Sequence, residues 1–496
     1  MRAPNSVPEP WRQRLLLLCL MLMAGILSAQ TVTPGPGTSV PVGIVSPAGP
    51  YSVPTLDNSQ NPFLGGTPAG RPTPGILDLS LADALDRALK YNLGLILNEQ
   101  GSAQVRAARV RALSQLLPNV NAHITESAEQ TNLVALGTPP SLFHGVSPVV
   151  GPFYVLDARP SVVEELSVRS LRALRASEQN FTASQFDVRN ARDLVVLFVG
   201  GGYIQSLADQ ARIATLEAQL TTAQSLYQQA VDMKAAGTIA AIDVLRAQVE
   251  MQVQQQRLVA AQADFAKAKL ALARAIGLPV SQPIRLTTEA PYRPNPTTTL
   301  EEALDRAFRS RPDYLSALAQ QKAAEESRRA AAAQHLPSII LNLDYGLLGL
   351  NLSSTHGTFT TAATLQIPIF EGGRIGADVA AADAVLKQRQ AQSQDARARV
   401  EYEVRASFLD LTSAATQVEV ARSSVELATV QLQQARDRFI AGVTNNIEVI
   451  QAQESVALAN ENYVSSLLAH NLAKLSLARA LGVAEVTVKQ FLEGTP

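Results

Sequence analysis

Histidines and paired acidic residues are the side chains through which this sequence could do chemistry, but their spacing matches no catalytic or metal-binding pattern. Glu164 and Glu165 are adjacent, and neighbouring residues of a strand face opposite ways, so they do not form an acid–base pair. Phosphate-binding loops, G-x-S-x-G elbows and dinucleotide-binding glycine patterns are absent from the sequence. The sequence therefore predicts no enzyme, no cofactor and no metal site. The histidines are scattered, without a His-Glu-x-x-His motif, at His123, His144, His335, His356 and His470.

Charge and cysteine content exclude further classes of protein. The 496 residues carry 42 Lys and Arg against 43 Asp and Glu, and only 17% of all residues are charged. A protein that binds the nucleic-acid backbone needs clustered Lys and Arg, so we expect no nucleic acid partner. The only cysteine is Cys19, which excludes a disulfide scaffold.

The N-terminal segment has the pattern of a secretory signal peptide. Three arginines precede an apolar run at 15–27 that ends in small residues, and we place the signal peptide at residues 1–29. Cys19 follows three leucines within this run, so we do not expect it to be lipidated. No later stretch contains 18 uninterrupted apolar residues, so an exported chain that enters a membrane must do so as β-strands.

Residues 30–76 are rich in Pro, Gly, Ser and Thr. Such a composition cannot bury enough apolar surface to offset the entropy of ordering the chain, so we predict a flexible N-terminal extension. It acts as a plain tether or, as the alternative, as a short peptide ligand.

The rest of the chain contains an internal duplication. LADALDRALK at 81–90 matches LEEALDRAFR at 300–309, and LALARAIG at 270–277 matches LSLARALG at 475–482. Each copy has the pattern of a short helix, a helix ending at Leu-Pro, two strands, a very long helix, a glycine turn and a returning helix. The predicted boundaries are 77–289 for the first repeat, 290–484 for the second and 485–496 for a C-terminal tail.

The long helices have a packing seam. Residues 377–441 contain no Gly or Pro, and a helix of that length would span roughly 98 Å. Large residues recur every seven positions from Val404 to Phe439, each of the first five followed three positions later by Ser or Ala. This two-layer pattern predicts tightly packed antiparallel hairpins, in which His470 is a packed residue. An isolated two-helix coiled coil would have the same periodicity. Three glycines at 200–202 interrupt the first long helix and indicate a close helix contact or a hinge.

Four segments per chain alternate as strands, at 120–125, 153–163, 339–345 and 358–369. Apolar residues on one face and polar residues on the other are typical of outer-membrane strands, although the edge of a soluble sandwich looks similar. Four strands leave two unpaired edges, which lipid does not tolerate, and barrels begin at about eight strands. Two chains would supply eight strands and three would supply twelve, and a lumen that continues into a tube of helices favours three.

Three motifs resemble those of the TolC-like outer-membrane efflux protein family. They are IPIFEGGR at 367–374, FIAGVTNNIEVI at 439–450 and AGTIAAIDVL at 236–245, and the resemblance covers about residues 77–484. It implies a mainly α-helical homotrimer with a twelve-stranded β-barrel in the outer membrane and a helical tunnel in the periplasm. It further implies a periplasmic adaptor and an inner-membrane transporter of RND or ABC type, which deliver drugs, metals or proteins.

The resemblance also assigns residues at the periplasmic tip. Asp243 and Glu448 occupy positions where the family has acidic residues near the constriction, and three-fold symmetry would make each a ring of carboxylates. Gly237 and Gly442 match the tip glycines that contact the adaptor. Phe439 stands where the family has a tyrosine, and Gln451 replaces a second acidic ring. Thr444 replaces an arginine of the tip contacts, for which Arg246, Arg436 or Arg438 is the candidate substitute. Alternatively, Asp243 and Glu448 are helix N-terminal acids that stabilise the macrodipole.

Two functional hypotheses follow. The first is a passive exit duct in the outer membrane that belongs to a tripartite efflux or type I secretion system. The second is a soluble periplasmic coiled-coil protein with a structural or adaptor role. The sequence does not identify the cargo, because a wide wet tunnel imposes little chemistry on what passes.

Overall fold

The structure is a computed structural model that describes residues 61–139, 141, 147–288, 292, 299–441, 443–444 and 446–485. The predicted signal peptide, Cys19, most of the N-terminal extension, Gly442 and nearly all of the predicted tail lie outside the described residues.

The two halves of the described chain contain the same succession of elements. The first half contains β1 (Leu77–Leu79), α1 (Leu81–Tyr91), α2 (Leu93–Ser114), β2 (Asn119–Asn132), β3 (Val149–Leu166), α3 (Val168–Ala235) and α4 (Ala241–Ala275). The second half contains β4 (Ile284–Leu286), α5 (Leu300–Ser310), α6 (Pro312–Ala332), β5 (Ser338–Gly349), β6 (His356–Gln366), α7 (Arg374–Ile440) and α8 (Asn446–Ala480). Apart from β1 and β4, this is the order that the sequence predicts.

Local sequence explains where the shorter helices begin and end. Ser80 and Asp83 form a capping box at the start of α1, and Thr299 and Glu302 form the equivalent box at the start of α5. The two helices that lead into the large sheet, α2 and α6, end shortly before a Leu-Pro pair, since the residue before proline avoids the α region. No helix in the described part of the chain is both long and apolar enough to span a membrane.

The long helices α3 and α7 contain 68 and 67 residues, so each is roughly 100 Å long. The seam predicted in α7 is confirmed, because Val404, Leu411, Val418 and Phe439 are buried along it. The small layer is buried too, at Ala414, Ala421, Ala428 and Ala435. Small side chains therefore let α7 pack closely, as the two-layer pattern predicts.

His470 and the glycine triplet also take the packed positions that were expected. His470 is buried, its ring centroid lies 4.9 Å from that of Tyr292, and burial beside Lys474 lowers its pKa to about 4. A Cβ atom added at Gly200 would lie 3.2 Å from Cδ2 of Leu475, so this glycine lets α3 and α8 approach closely. The close-contact interpretation therefore holds at Gly200, where a hinge was the alternative.

The segment 61–76 differs from the prediction of a flexible extension, because it is packed against the helices. The Phe63 ring stacks on the Phe198 ring at 5.8 Å, and the Asn92 side chain donates a hydrogen bond to the Phe63 carbonyl at 2.7 Å. The chain then enters β1, which pairs in parallel with β4. The sequence missed both strands because three residues are too few to show a period.

A buried ion network joins the helices of the second half. The Arg311 side chain is only 1% exposed, and it bonds Asp313 of α6 at 2.5 Å and Glu403 of α7 at 2.6 Å. Arg479 of α8 bonds the same Glu403 oxygen at 2.6 Å. Since a buried charge is tolerated only when it is paired and hydrogen-bonded, this network fixes the position of three helices relative to one another.

We expect Arg311→Met to lower the free energy of unfolding by about 1.5–3 kcal/mol, because Asp313 and Glu403 lose hydrogen bonds to a buried cation while Arg479 still pairs with both. Arg309→Met is the matched control, since the Arg309 side chain is 78% exposed and its ion pair with Asp305 lies at the surface. Thermal unfolding of the purified proteins, followed by circular dichroism, compares the two. Equal midpoints for the two variants would contradict the structural role of the network.

Candidate channel-forming surfaces

The four long strands form one antiparallel sheet in the order β2-β3-β5-β6. Its register sorts the side chains into two faces, with Val162 opposite Val120 and Leu343, and Tyr345 opposite Phe359. Alternation then puts Glu164 and Glu165 on opposite faces, as predicted, since they lie opposite Leu341 and Ile340. All four strands differ from their predicted bounds, and β2 extends farthest beyond its prediction.

One face of this sheet, which we call the apolar face, carries large hydrophobic side chains that are 43–79% exposed. They are Val120, Ile124, Tyr154, Leu343, Tyr345, Leu347, Phe359 and Leu365. A contiguous exposed surface of this kind marks an interaction with lipid or protein. A soluble sandwich would cover it with a second layer, and no such layer packs on it in the described residues.

The opposite face, which we call the polar face, carries Asn, Thr, Ser, His and charged side chains. Its members include Asn121, His123, Thr125, Asp157, Arg159, Ser161, Asn342, Asp344, Thr360 and Thr364. An apolar face opposite a polar face over strands of 11–18 residues is the pattern of strands in membrane barrels.

The sheet ends at two free edges, and α7 has a second apolar surface. Among the described residues, β2 and β6 each pair on one side only, so a single chain does not close a barrel. On the side of α7 away from its seam lie Tyr402, Leu409, Val420 and Leu427, which are 61–72% exposed. We call these four residues the α7 stripe.

The far end of the hairpin formed by α3 and α4 is a tight glycine turn. Gly237 has φ of +75°, a left-handed conformation that favours glycine, and its N–H donates to the Lys234 carbonyl at 2.9 Å. A Cβ added at Gly237 would meet nothing within 4 Å, so this turn is open on its outer side. Gly442, the equivalent residue in the second hairpin, lies outside the described residues.

Both predicted tip acids lie in the first turn of a returning helix and are paired. Asp243 of α4 accepts a bond from Arg246 at 3.2 Å. Glu448 of α8 accepts a hydrogen bond from the Thr444 hydroxyl and pairs with Arg438 of α7 at 3.0 Å. These two carboxylates therefore stabilise the N-terminus of their helices and also bond specific partners.

The other predicted tip residues have different surroundings. Phe439 is buried against Leu226, Val449 and Ala452, so it packs the hairpin end rather than bonding an acid. Gln451 is exposed and lines a groove of about 550 Å³ between α4 and α8. The buried Nε of Arg436 has no hydrogen-bond partner in the described part of the chain.

The comparisons with known proteins fit this geometry. The sequence profile of the outer membrane efflux protein family matches residues 167–278 and 303–483, more than half of the chain. The chain belongs to the outer membrane efflux protein family. It is 26% identical over 484 residues to the pyoverdine export outer membrane protein OpmQ of Pseudomonas putida, covering 94% of this chain and 97% of that one.

Two further relatives lead to the same family. Outer membrane protein OprJ of Pseudomonas aeruginosa is 26% identical over 435 residues, covering 82% of this chain and 85% of that one. The structure of the Campylobacter jejuni CmeC outer membrane channel superposes with a TM-score of 0.72 at 17% identity, over 89% of this chain and 94% of that one. The predicted TolC-like resemblance, fold class and outer-membrane location are confirmed, and the protein is an outer membrane efflux channel. A soluble periplasmic adaptor is thereby set aside.

Sequence reasoning missed some of the charged contacts of this efflux channel. Thr444 was noted only as a departure from the family, whereas its hydroxyl bonds Glu448. Arg159 was not singled out, although it bonds Asp157 and Asp344 on the polar face. The i, i+2 spacing of Asp157 and Arg159 is the signal that could have revealed one of these contacts.

We expect Leu365→Asp to reduce the amount of protein in the outer membrane fraction, because a charge on the lipid-facing side of a barrel strand is unfavourable, by up to about 2–4 kcal/mol for a basic residue at mid-depth and by less for an acidic one. Thr364→Asp is the matched control, since it places the same charge one residue away on the polar face. Membrane fractionation and immunoblotting measure the result. Equal losses for the two variants would mean that the faces are not oriented as described.

Proposed function

We propose that three copies of this chain assemble into the passive exit duct of a tripartite efflux or type I secretion system. The observation that carries the proposal is the exposed apolar face of a four-stranded sheet with two free edges. In lipid, each unpaired backbone group costs several kcal/mol, so the edges must join those of other copies. Three copies supply twelve strands.

The number three is supported by barrel geometry. About eight strands enclose an interior that side chains fill or that holds one small ligand, whereas 16–18 strands leave an aqueous channel. Two copies would give eight strands, too few for a duct that continues into a helical tunnel. The α7 stripe supplies a second surface along which neighbouring copies pack, because four exposed large apolar residues in line are unfavourable in water.

The partners follow from what the chain lacks in its described residues. No cluster of His, Cys, Asp or Glu there is arranged to hold a metal ion, and in this proposal the energy comes from an inner-membrane transporter of RND or ABC type. A periplasmic adaptor links the two and contacts the hairpin tips, of which the Gly237 turn is one. The cargo is selected by the transporter, and the duct itself is not an enzyme.

The tip acids act as the periplasmic gate. Glu448 lies at the start of α8. It pairs with Arg438 at the end of α7 and accepts a hydrogen bond from Thr444 in the turn between the two helices. On the other hairpin, Asp243 pairs with Arg246 within the first turns of α4. With three copies around one axis, each acid becomes a ring that attracts cations and holds the hairpin ends in a closed arrangement. Phe439 packs behind this gate, and Gln451 lines its approach.

We expect the double variant Asp243→Ala, Glu448→Ala to conduct more than the unmodified channel in planar bilayers. Ion pairs as exposed as these contribute about 0–1 kcal/mol each, so the loss of both would shift a closed-to-open equilibrium by up to about tenfold.

Glu426→Ala, which removes an exposed acid elsewhere on α7, is the control and should conduct normally. An unchanged conductance in the double variant would remove the gate from the proposal. A complete lack of conductance in both the unmodified protein and the double variant would instead contradict the duct.

A further inference from the structure

Three charged side chains meet in the middle of the polar face. Asp157 and Arg159 lie two residues apart on β3, so both project from the same face, and Asp344 comes from the neighbouring strand β5. All three are well inside their strands, far from the hairpin tips. We call them the polar-face triad.

The triad is held in one arrangement. Arg159 bonds Asp157 with two nitrogens, Nε to Oδ1 at 2.6 Å and Nη2 to Oδ2 at 2.5 Å. Its Nη1 reaches Oδ1 of Asp344 at 3.1 Å. A bidentate arginine contact fixes direction as well as distance, so these charges are anchored to the strands instead of moving freely in water.

Gly346 supplies the space that this arrangement needs. A Cβ added there would lie 2.6 Å from Cγ of Arg159 and 2.2 Å from the Ala158 carbonyl oxygen. A side chain at 346 would therefore displace the backbone of β3 together with the Arg159 side chain. Glycine at this position lets β5 approach β3 closely beneath the arginine.

The polar face as a whole is acidic. Besides the triad it carries Glu129 and Glu165, so its acids outnumber its single arginine by three in each chain. The apolar face also carries acidic residues, among them Glu126, which lies opposite Leu156.

We infer that the polar-face triad forms a fixed ionic ring half-way along the barrel lumen and makes the pore selective for cations over anions. The inference rests on the proposed function, because the ring exists only when three copies close the barrel. Rings of acidic side chains raise the local concentration of cations and repel anions. The triad discriminates solutes by their charge. It lies in the barrel and is separate from the gate at the tip.

Salt dependence gives the inference a quantitative form. The Debye length is about 30 Å at 0.01 M salt and about 3 Å at 1 M. Charges on the wall of a wide lumen therefore influence passing ions strongly in dilute salt and weakly in concentrated salt. Selectivity from the triad must fade as the salt concentration rises.

The test is the reversal potential of single channels in KCl gradients, measured in the Asp243→Ala, Glu448→Ala background so that the tip does not dominate the resistance. Asp344→Asn should move the K⁺ to Cl⁻ permeability ratio toward unity in dilute KCl. Arg159→Gln should raise the ratio, and both differences should vanish near 1 M KCl. Glu126→Gln, which removes the same charge from the apolar face, should leave the ratio unchanged.

Channels that form and conduct, but whose permeability ratios are the same in all these variants, would overturn the inference while leaving the duct intact. An equal effect of Glu126→Gln and Asp344→Asn would also overturn it, since overall charge would then be responsible. Absence of channels in the unmodified protein would instead contradict the proposed function.

Discussion

The unpaired backbone of two edge strands is the constraint on which the rest of this structure depends. β2 and β6 contain 14 and 11 residues and are paired on one side only among the described residues. Since each unsatisfied backbone group in lipid costs several kcal/mol, open edges would cost more than the 5–15 kcal/mol that typically stabilises a folded domain. The sheet can reside in a membrane only with its edges joined to others, so assembly and membrane insertion are coupled.

The same constraint extends to the helices because strand and helix are nearly continuous. β3 ends at Leu166 and α3 begins at Val168, with only the capping residue Ser167 between them. β6 is joined to α7 through Gly372 and Gly373, which both have positive φ and allow the chain to change direction. The register of the sheet therefore sets where each long helix starts. Packing along the seam then fixes the relative positions of the helices as far as the tips.

Periodic features of this chain could be predicted from sequence, whereas contacts between distant segments could not. The α7 seam repeats over several heptads, so burial of Leu411 and Val418 was readable. The second half of β2 contains Glu126 and Glu129 and lacks an apolar alternation, so only pairing with β3 reveals that it is a strand. Composition suggested disorder at Phe63, whose order comes from a ring in α3. The tip acids were located by resemblance, but their partners depend on the local path of the turn.

Arginine side chains pair with carboxylates near both ends of α8, and the surroundings decide how much each pair stabilises the fold. The Arg311 side chain is almost fully buried near the end of α8 that is farthest from the tip, so water does not compete with its bonds to Asp313 and Glu403 from the arginine side. Arg438 at the tip is 56% exposed, and exposed ion pairs contribute only about 0–1 kcal/mol because water competes with both partners. Similar chemistry thus fixes the helices at one end and leaves them releasable at the other. The gate that we propose requires this gradient, since in that proposal the tip moves while the seam and the sheet stay in place.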